Sequence, residues 1–401
     1  MTNNKLKVGN VPNLRFLGFE EEGEWEMRKL GEVMDFKVTN SFSRENLNYE
    51  AGTVKNIHYG DIHTKFQTLF DISNEVVPFI NEDINIRRIS EDNYCKEGDL
   101  IFADASEDTY DIGKNIEIIN LNNEKLLSGL HTLLARPKEN IFYLGFNAYL
   151  FKSNLVRTQI QRESQGTKVL SINVGRISKI NLLFPAINEQ QKIASLLSLI
   201  DERIQTQSKI IEELKLLKNT LRHQLFKQIV REENELVQVK EVLNYEQPTK
   251  YLVSNTDYFS DNSLIPVLTA NKAFILGYTD EAFGIYVKGE CIIFDDFTMD
   301  MKFVDFSFKV KSSAIKILTA KSNVNLKFMF EYLSFLGLSS DEHKRHYISE
   351  IEPIEISLPN YHKQGKIANI LSEIDKKTKV EFEICTLLIK QKEYLLANLF
   401  I

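Results

Sequence analysis

Phe184-Pro185-Ala186-Ile187-Asn188-Glu189-Gln190-Gln191-Lys192-Ile193-Ala194 opens a proline-free, apolar-striped stretch that runs to Ile229, and the chain writes it twice. The second copy begins Leu358-Pro359-Asn360-Tyr361-His362-Lys363-Gln364-Gly365-Lys366-Ile367-Ala368, at a constant offset of 174. Over the 44 positions from Leu183 to Phe226, 15 residues are identical, among them Pro185/Pro359, Gln190/Gln364, Lys192/Lys366, Leu197/Leu371, Asp201/Asp375 and Phe226/Phe400. A repeat of this length makes the chain a duplicated unit.

Both copies read as long helices. Ile193, Leu197, Ile200, Ile204, Ile211, Leu214, Leu221 and Leu225 follow alternating steps of four and three, a coiled-coil seam interrupted by Gln207 and Lys218. The second copy keeps the seam at Ile367, Leu371, Ile374, Leu388, Leu395 and Leu399, while Thr378, Glu381 and Lys392 weaken its middle. Asn188 with Gln191 resembles a capping box just after Pro185. At 1.5 Å per residue some 40 residues make a rod of roughly 60 Å, which cannot bury its stripe alone. The simplest solution packs the two copies on each other.

Around these helices the chain divides into a tail at 1–23, a globular domain at 24–184, the first repeated helix at 185–234, a second domain at 235–358 and the second helix at 359–401. Leu30-Gly31-Glu32-Val33 and Val239-Lys240-Glu241-Val242 open the two domains alike. Gly98-Asp99-Leu100-Ile101-Phe102 is echoed by Gly289-Glu290-Cys291-Ile292-Ile293, a turn glycine and an acid leading into a short apolar strand. Strands are expected at 54–58, 100–103, 115–120, 285–287, 291–295, 303–309 and 314–318, and helices at about 141–163 and 325–337. The class is α+β: two globular domains separated by two long antiparallel helices, with pseudo-two-fold internal repetition. The frame is duplicated and the contents have diverged.

The 401 residues carry 26% charged and 43% hydrophobic side chains, with no membrane span or signal peptide expected. Cys95, Cys291 and Cys385 are isolated, which suits a reducing cytoplasm and neither a disulfide framework nor a zinc site. Net charge is −7, and both domains are acidic. Two basic windows stand out within them. Lys152 to Lys179 holds six cations against Glu163, and Met301 to Lys327 six lysines against Asp305. Backbone binding of DNA needs local cations of this kind and not a positive total.

Catalytic motifs are missing. There is no phosphate-binding Gly-x-x-x-x-Gly-Lys-Ser/Thr, no Gly-x-Gly-x-x-Gly cofactor turn and no Gly-x-Ser-x-Gly elbow, so no cofactor is expected. His343 and His346 lack the spacing and the Glu of a zinc protease and read as surface histidines. Asp295, Asp296 and Asp300 offer a weak divalent-metal set, and no metal is expected.

The order domain–helix–domain–helix, and the Pro-x-x-x-x-Gln-x-Lys-Ile-Ala-x-x-Leu-Ser-x-Ile-Asp motif at Pro185–Asp201 and Pro359–Asp375, resemble the specificity subunit of Type I restriction-modification systems. Val11-Pro12-x-Leu14-Arg15-Phe16, Trp25-x-x-x-x-Leu30-Gly31, Gln165-Gly166-Thr167 and Val267-Leu268-Thr269…Gly277-Tyr278-Thr279 add to the likeness. The resemblance implies that each domain is a target-recognition domain reading one half of a split double-stranded DNA sequence. It also implies that the helices are a spacer, and that modification (methyltransferase) and restriction (ATP-dependent translocase and nuclease) subunits are partners. The chain itself would be a non-catalytic recognition subunit. Half-sites about one helical turn apart, roughly 34 Å, suit such a spacer. Because both domains are acidic, the isolated subunit is expected to bind DNA weakly.

Base edges are read mostly by Arg, Lys, Asn and Gln, with phosphate contacts fixing the register. In the first domain the candidates are Tyr59, Lys65, Arg87, Arg88 and the loop Arg162, Gln165, Gly166, Thr167 and Lys168. In the second they are Asn271, Lys272, Tyr278, Lys302 and the loop His343, Lys344, Arg345 and His346. Glu189, Gln190 and Lys192 near the first helix start are candidates for facing a partner subunit, or simply for capping. Two other classes are compatible with the sequence: a non-enzymatic coiled-coil interaction protein with two diverged binding modules, and a nuclease using Asp295, Asp296 and Asp300.

Overall fold

A computed structural model describes residues 9–271, 273–339 and 344–401. It separates into two compact units, one of residues up to Thr206 together with Ile384–Ile401, the other Gln207–Glu383. Each unit thus takes a globular domain and a stretch of both long helices.

The two domains share a sheet. In the first unit Met34–Lys37, Thr132–Pro137, Leu100–Ala103, Asn115–Asn120 and Leu69–Asp71 lie side by side in that order. The first three contacts are antiparallel and the last parallel. The second unit repeats the first four places with Leu243–Glu246, Ile315–Ala320, Cys291–Asp295 and Met301–Val304, all antiparallel. Gly98 and Gly289 turn into the matching central strands with φ of +86° and +92°, which a glycine adopts without cost. Each domain then adds its own small sheet. One is Leu126–Ser128, Lys55–Ile57, Phe79–Ile80 and Leu47–Asn48; the other is Ile275–Thr279, Ile265–Leu268 and Lys309–Val310.

Several expected elements differ. The segment 285–287 forms only a single bridge, Tyr286 to Phe308. The strand expected at 303–309 is two, Met301–Val304 and Lys309–Val310. The helix expected at 141–163 is also two, Phe146–Leu150 and Asn154–Glu163, parted where Ser153 caps the second by accepting from Val156 N–H.

The long helices run Ile187–Arg231 and Tyr361–Leu399. Every expected seam position is buried or half-buried, and so are the interruptions Gln207, Lys218, Thr378, Glu381 and Lys392. Within the first unit Ile193, Leu197 and Ile200 share a core with Leu395, Leu399 and Phe400; within the second, Phe226 joins Ile367, Ala368 and Leu371. In both units rising numbers on one helix meet falling numbers on the other, so the strips pack antiparallel. Asn188 is not the cap. The helix starts at Ile187, and the capping oxygen belongs to Asn360 of the second copy, which accepts from Lys363 N–H at 3.0 Å.

The repeat identities have structural causes. Phe226 packs on Phe328 and Tyr332 in the second domain (ring centroids 5.2 and 4.9 Å), while Phe400 packs on Phe146 and Trp25 in the first (5.7 and 6.2 Å). Burying such a ring contributes about 2 kcal/mol or more. Gln190 is fully buried: its amide donates to the Pro185 and Ile141 carbonyls and its oxygen accepts from Tyr143 N–H. Gln364 does the same with the Pro359 carbonyl and Asn325 N–H. Each glutamine ties the turn before its long helix to the turn before a domain helix. No helix is long and apolar enough to cross a membrane among the described residues.

Candidate nucleic-acid interface

In the first domain the helix Asn154–Glu163 ends in an exposed hairpin. Gln165 and Ser171 exchange backbone hydrogen bonds at 2.9 and 2.7 Å. Gly166 turns it with φ +135°, where a Cβ would stand 1.9 Å from the Val169 carbonyl oxygen, so glycine is required there. Arg162, Gln165, Thr167 and Lys168 line this loop, all exposed. Its far side, Leu170–Ser171, pairs antiparallel with Ala105–Ser106.

That pairing brings the loop beside a cluster drawn from distant stretches of chain. Ile172 N–H donates to the Asp104 carbonyl, and Asp104 N–H to the His131 carbonyl. The His131 ring nitrogen Nδ1 lies 3.1 Å from the Asp104 carboxylate, and His63 Nε2 lies 3.0 Å from the Ala105 carbonyl. Tyr59 sits among three imidazoles, its ring 4.6 Å from His58, 5.3 Å from His131 and 6.0 Å from His63. Beside it the buried Asp61 holds two half-exposed cations, Arg44 at 3.0 Å and Lys65 at 2.9 Å; Lys65 also donates to the Tyr49 hydroxyl. The hydrogen bond to Asp61 raises the pKa of both cations. Burial lowers that of His58, and burial raises that of Asp104.

Tyr59, Lys65 and the 165–168 loop are thus brought together, and Arg44, Tyr49, His58, His63, His131 and Asp104 join them unforeseen. His58, Tyr59, His63 and Lys65 share one short helix and its caps, but only strand pairing brings Asp104, His131 and the hairpin to them. Arg87 and Arg88 are exposed on another segment, and Arg87 lines a cleft of about 410 Å3 with Thr53, Val54 and Ile80.

In the second domain Asn271 closes a turn, accepting from Ala273 N–H on its side chain and from Phe274 N–H on its carbonyl. Tyr278 is half-buried in a strand, exchanging backbone hydrogen bonds with Phe259, and Lys302 is half-buried opposite Ile293. Lys272 and His343 lie outside the described residues. Lys344, 3.0 Å from Glu350, and Arg345 are exposed. His346 departs from the expected surface position. It is fully buried, its ring 3.0 Å from Glu350 and its N–H donating to Asp296, so it shapes the loop from inside.

The basic windows are also less exposed than their composition suggests. In the second, Lys309 is fully buried, donating to the Phe283 carbonyl and paired with Glu281. Lys316 is buried against Asp296 at 3.3 Å, Lys321 donates to the Lys240 carbonyl, and Lys327 pairs with Asp375. In the first, Lys152 is half-buried beside Thr68 and its pKa is pushed down to about 7 by desolvation. Arg157 donates to the Tyr110 and Ile112 carbonyls. Of the two windows, cations that reach solvent remain at Arg162, Lys168 and Lys179 in the first and Lys311 in the second.

Asp295 accepts from Phe297 and Thr298 N–H, and Asp296 is buried on Tyr347 N–H and Lys316, so these carboxylates serve turns and an internal ion pair. Among the described residues no group of three or more His, Cys, Asp or Glu could hold a metal ion. Of the residues near the first helix start, Glu189 is buried in a bidentate pair with Arg15 (2.8 and 2.7 Å) and Gln190 is internal, which leaves Lys192 exposed.

Comparison with known proteins places this architecture. The family model for the Type I restriction modification DNA specificity domain matches twice, at residues 22–216 and 231–386. The chain is 43% identical over 173 residues to the Type I restriction enzyme EcoR124I/EcoR124II specificity subunit of Escherichia coli, a match covering 40% of this chain and 43% of that protein. It is 24% identical over 412 residues to a protein of Methanocaldococcus jannaschii described as the putative MjaX specificity subunit of a type I restriction enzyme, covering 92% and 89% of the two. In fold it is similar to the crystal structure of the S subunit of a Type-I restriction-modification system from M. genitalium, with a TM-score of 0.65, 16% identity and coverage of 98% and 99%. A chain from a structural study of complex assembly and conformational transition of the type I R-M system gives 0.53, 14% identity and coverage of 93% and 96%.

Proposed function

The chain belongs to the family of Type I restriction-modification DNA specificity domains, and on that footing we propose that it is a DNA sequence-specificity subunit whose two domains each read one half of a bipartite target. The paired helices act as the spacer that fixes half-site separation, and their outer faces dock the modification subunits. Methyl transfer, ATP hydrolysis and cleavage belong to partner subunits, and the complex works in the cytoplasm.

The observation that carries the reading is the double family match over two domains that share the order of four sheet strands and each add a different small sheet. A common frame can present two unlike surfaces to one duplex, and unlike surfaces read unlike half-sites. In the first domain the reading surface is the 165–168 loop with the Tyr59 cluster. In the second, Asn271, Tyr278, Lys302, Lys344 and Arg345 are the candidates.

Methylome sequencing of a host with and without the chain, its modification partner present in both, tests this. The expected result is a chain-dependent motif of two specified half-sites separated by unspecified bases. A continuous motif, or no chain-dependent methylation, overturns it.

A further inference from the structure

The three histidines around Tyr59 are not equivalent, and their hydrogen bonds say which can change charge. His58 Nδ1 accepts from Gly60 N–H at 3.2 Å, so that nitrogen carries no proton. His63 Nε2 faces the Ala105 carbonyl and must donate to it, while its Nδ1 is buried with no partner; a proton there would be stranded. Burial also lowers the pKa of His58, which keeps that ring neutral. His131 differs. It is about half exposed (52%), its Nδ1 is oriented by Asp104, and in that arrangement Nδ1–H donates and Nε2 is left as the basic nitrogen.

The charged groups packed nearest this ring are paired, and Glu107 and Asp108 stand exposed just beyond the Ala105–Ser106 strand. Arg44 and Lys65 share Asp61, Lys114 stands 3.7 Å from Asp111 while donating to the His63 carbonyl, and Asp104 faces His131 itself. His131 also holds a left-handed backbone, φ +55°, on a non-glycine residue, of the kind that collects at binding sites. Protonation of one imidazole is thus the step that adds positive charge to this face, beside the Arg162 and Lys168 loop.

Resting on the reading proposed above, we infer that His131 is a proton-linked phosphate contact of the first half-site: its Nε2 takes up a proton and donates to a DNA backbone oxygen as the duplex binds. Asp104 positions the ring and offsets the charge on its inner side. The Tyr59 ring, 5.3 Å from His131, makes the wall against which the backbone lies. The contact adds affinity and register and carries no base preference.

The test uses the full chain assembled with its modification subunits and a labelled duplex bearing the methylated motif, with binding followed by anisotropy across pH 6 to 8 (about the range in which an imidazole titrates) and across salt. The wild-type complex is expected to bind more tightly at the acidic end. His131→Gln should bind about tenfold more weakly at pH 6, the lower end for one charge-assisted hydrogen bond. It should show little pH dependence and a log–log salt slope shallower by about 0.9. Asp104→Asn should keep binding but shift its pH profile, an effect that a merely structural role would not produce. Unchanged pH and salt dependence in His131→Gln, in a variant whose thermal midpoint equals that of the wild type, overturns the inference. If the wild-type complex binds no duplex at any pH, the specificity-subunit reading falls instead.

Discussion

Glu117 shows how a residue invisible to motif reading anchors the first domain. It is buried in the sheet and accepts from Gly145 N–H at 2.8 Å and Ala148 N–H at 2.7 Å, fixing the turn into Phe146–Leu150 and so the pocket for Phe400. Burial pushes its pKa up from 4.5 to about 7. A carboxyl raised on folding holds its proton more tightly in the native state, so its contribution is full below pH 4.5 and is lost as pH rises through 7. Glu117→Ala strands two buried N–H groups and should cost about 3 kcal/mol near pH 5. The difference from wild type should shrink by pH 8, and urea unfolding at the two pH values measures it. A pH-independent difference would show that the carboxyl ionises as freely as in water. At the same scale, Phe226→Ala empties a pocket lined by Phe328, Tyr332 and Phe335 and should lower unfolding free energy by about 3 to 5 kcal/mol, read from denaturant midpoints.

At the scale of elements, the repeat reveals a pairing rule that the bare pattern does not. Lys392 meets Asp201 in the first unit, and Lys218 meets Asp375 in the second; the two pairs are the same pair displaced by the repeat. Gln207 donates to Glu381, its own counterpart 174 residues on. Two of the polar breaks, Gln207 and Glu381, are therefore mutual partners across the helices, while Lys218 and Lys392 reach acids on the facing helix, and these cross-pairs fix the register that a uniform leucine seam would leave free. Replacing Gln207 and Glu381 together by leucine should raise the thermal midpoint, by about 1 to 2 kcal/mol in stability, since an apolar pair at a half-buried seam outweighs one hydrogen bond. A lowered midpoint in the double variant would show that the polar pair is itself stabilising. The seam is legible in the sequence because helical periodicity is local and long. The cap is not, because the two copies differ there: Ala186 and Asn360 occupy the same repeat position, and Asn188 carries a cap-like side chain already inside the first helix. Short strands are legible where apolar residues run on, as at 100–103 and 291–294, or are spaced by polar ones, as at 115–120. The run at 285–287 misleads, since Gly284 and Gly289 bracket residues that manage one bridge.

For the whole molecule, the duplicated frame is readable from identities alone, and the reading surface is not. Composition advertises lysine-rich windows, yet Lys309, Lys316 and Lys327 hold the second domain together from within. Cations in an acidic domain pair with its carboxylates first, and those left over mark the surface available to a phosphate. Within the two basic windows that surplus is small, Arg162, Lys168 and Lys179 near the hairpin of the first domain and Lys311 in the second, while Arg87 and Arg88 of the first domain and Arg345 of the second are exposed outside them. Few spare cations imply a shallow salt slope and weak binding for the chain alone, with partners supplying the rest of the grip. They also make the two half-sites separable. Arg162→Ala with Lys168→Ala should erode methylation at sites whose first half-site is imperfect and leave tolerance in the second half-site unchanged. Lys344→Ala with Arg345→Ala should do the reverse. Each lost phosphate contact costs a similar factor at every site, so degenerate sites fall below the threshold first while the best sites persist. Methylome sequencing of the paired variants reads both outcomes. Erosion spread evenly over both half-sites by either pair would mean that the domains do not read independently, and the division of labour argued from the duplicated frame would fail.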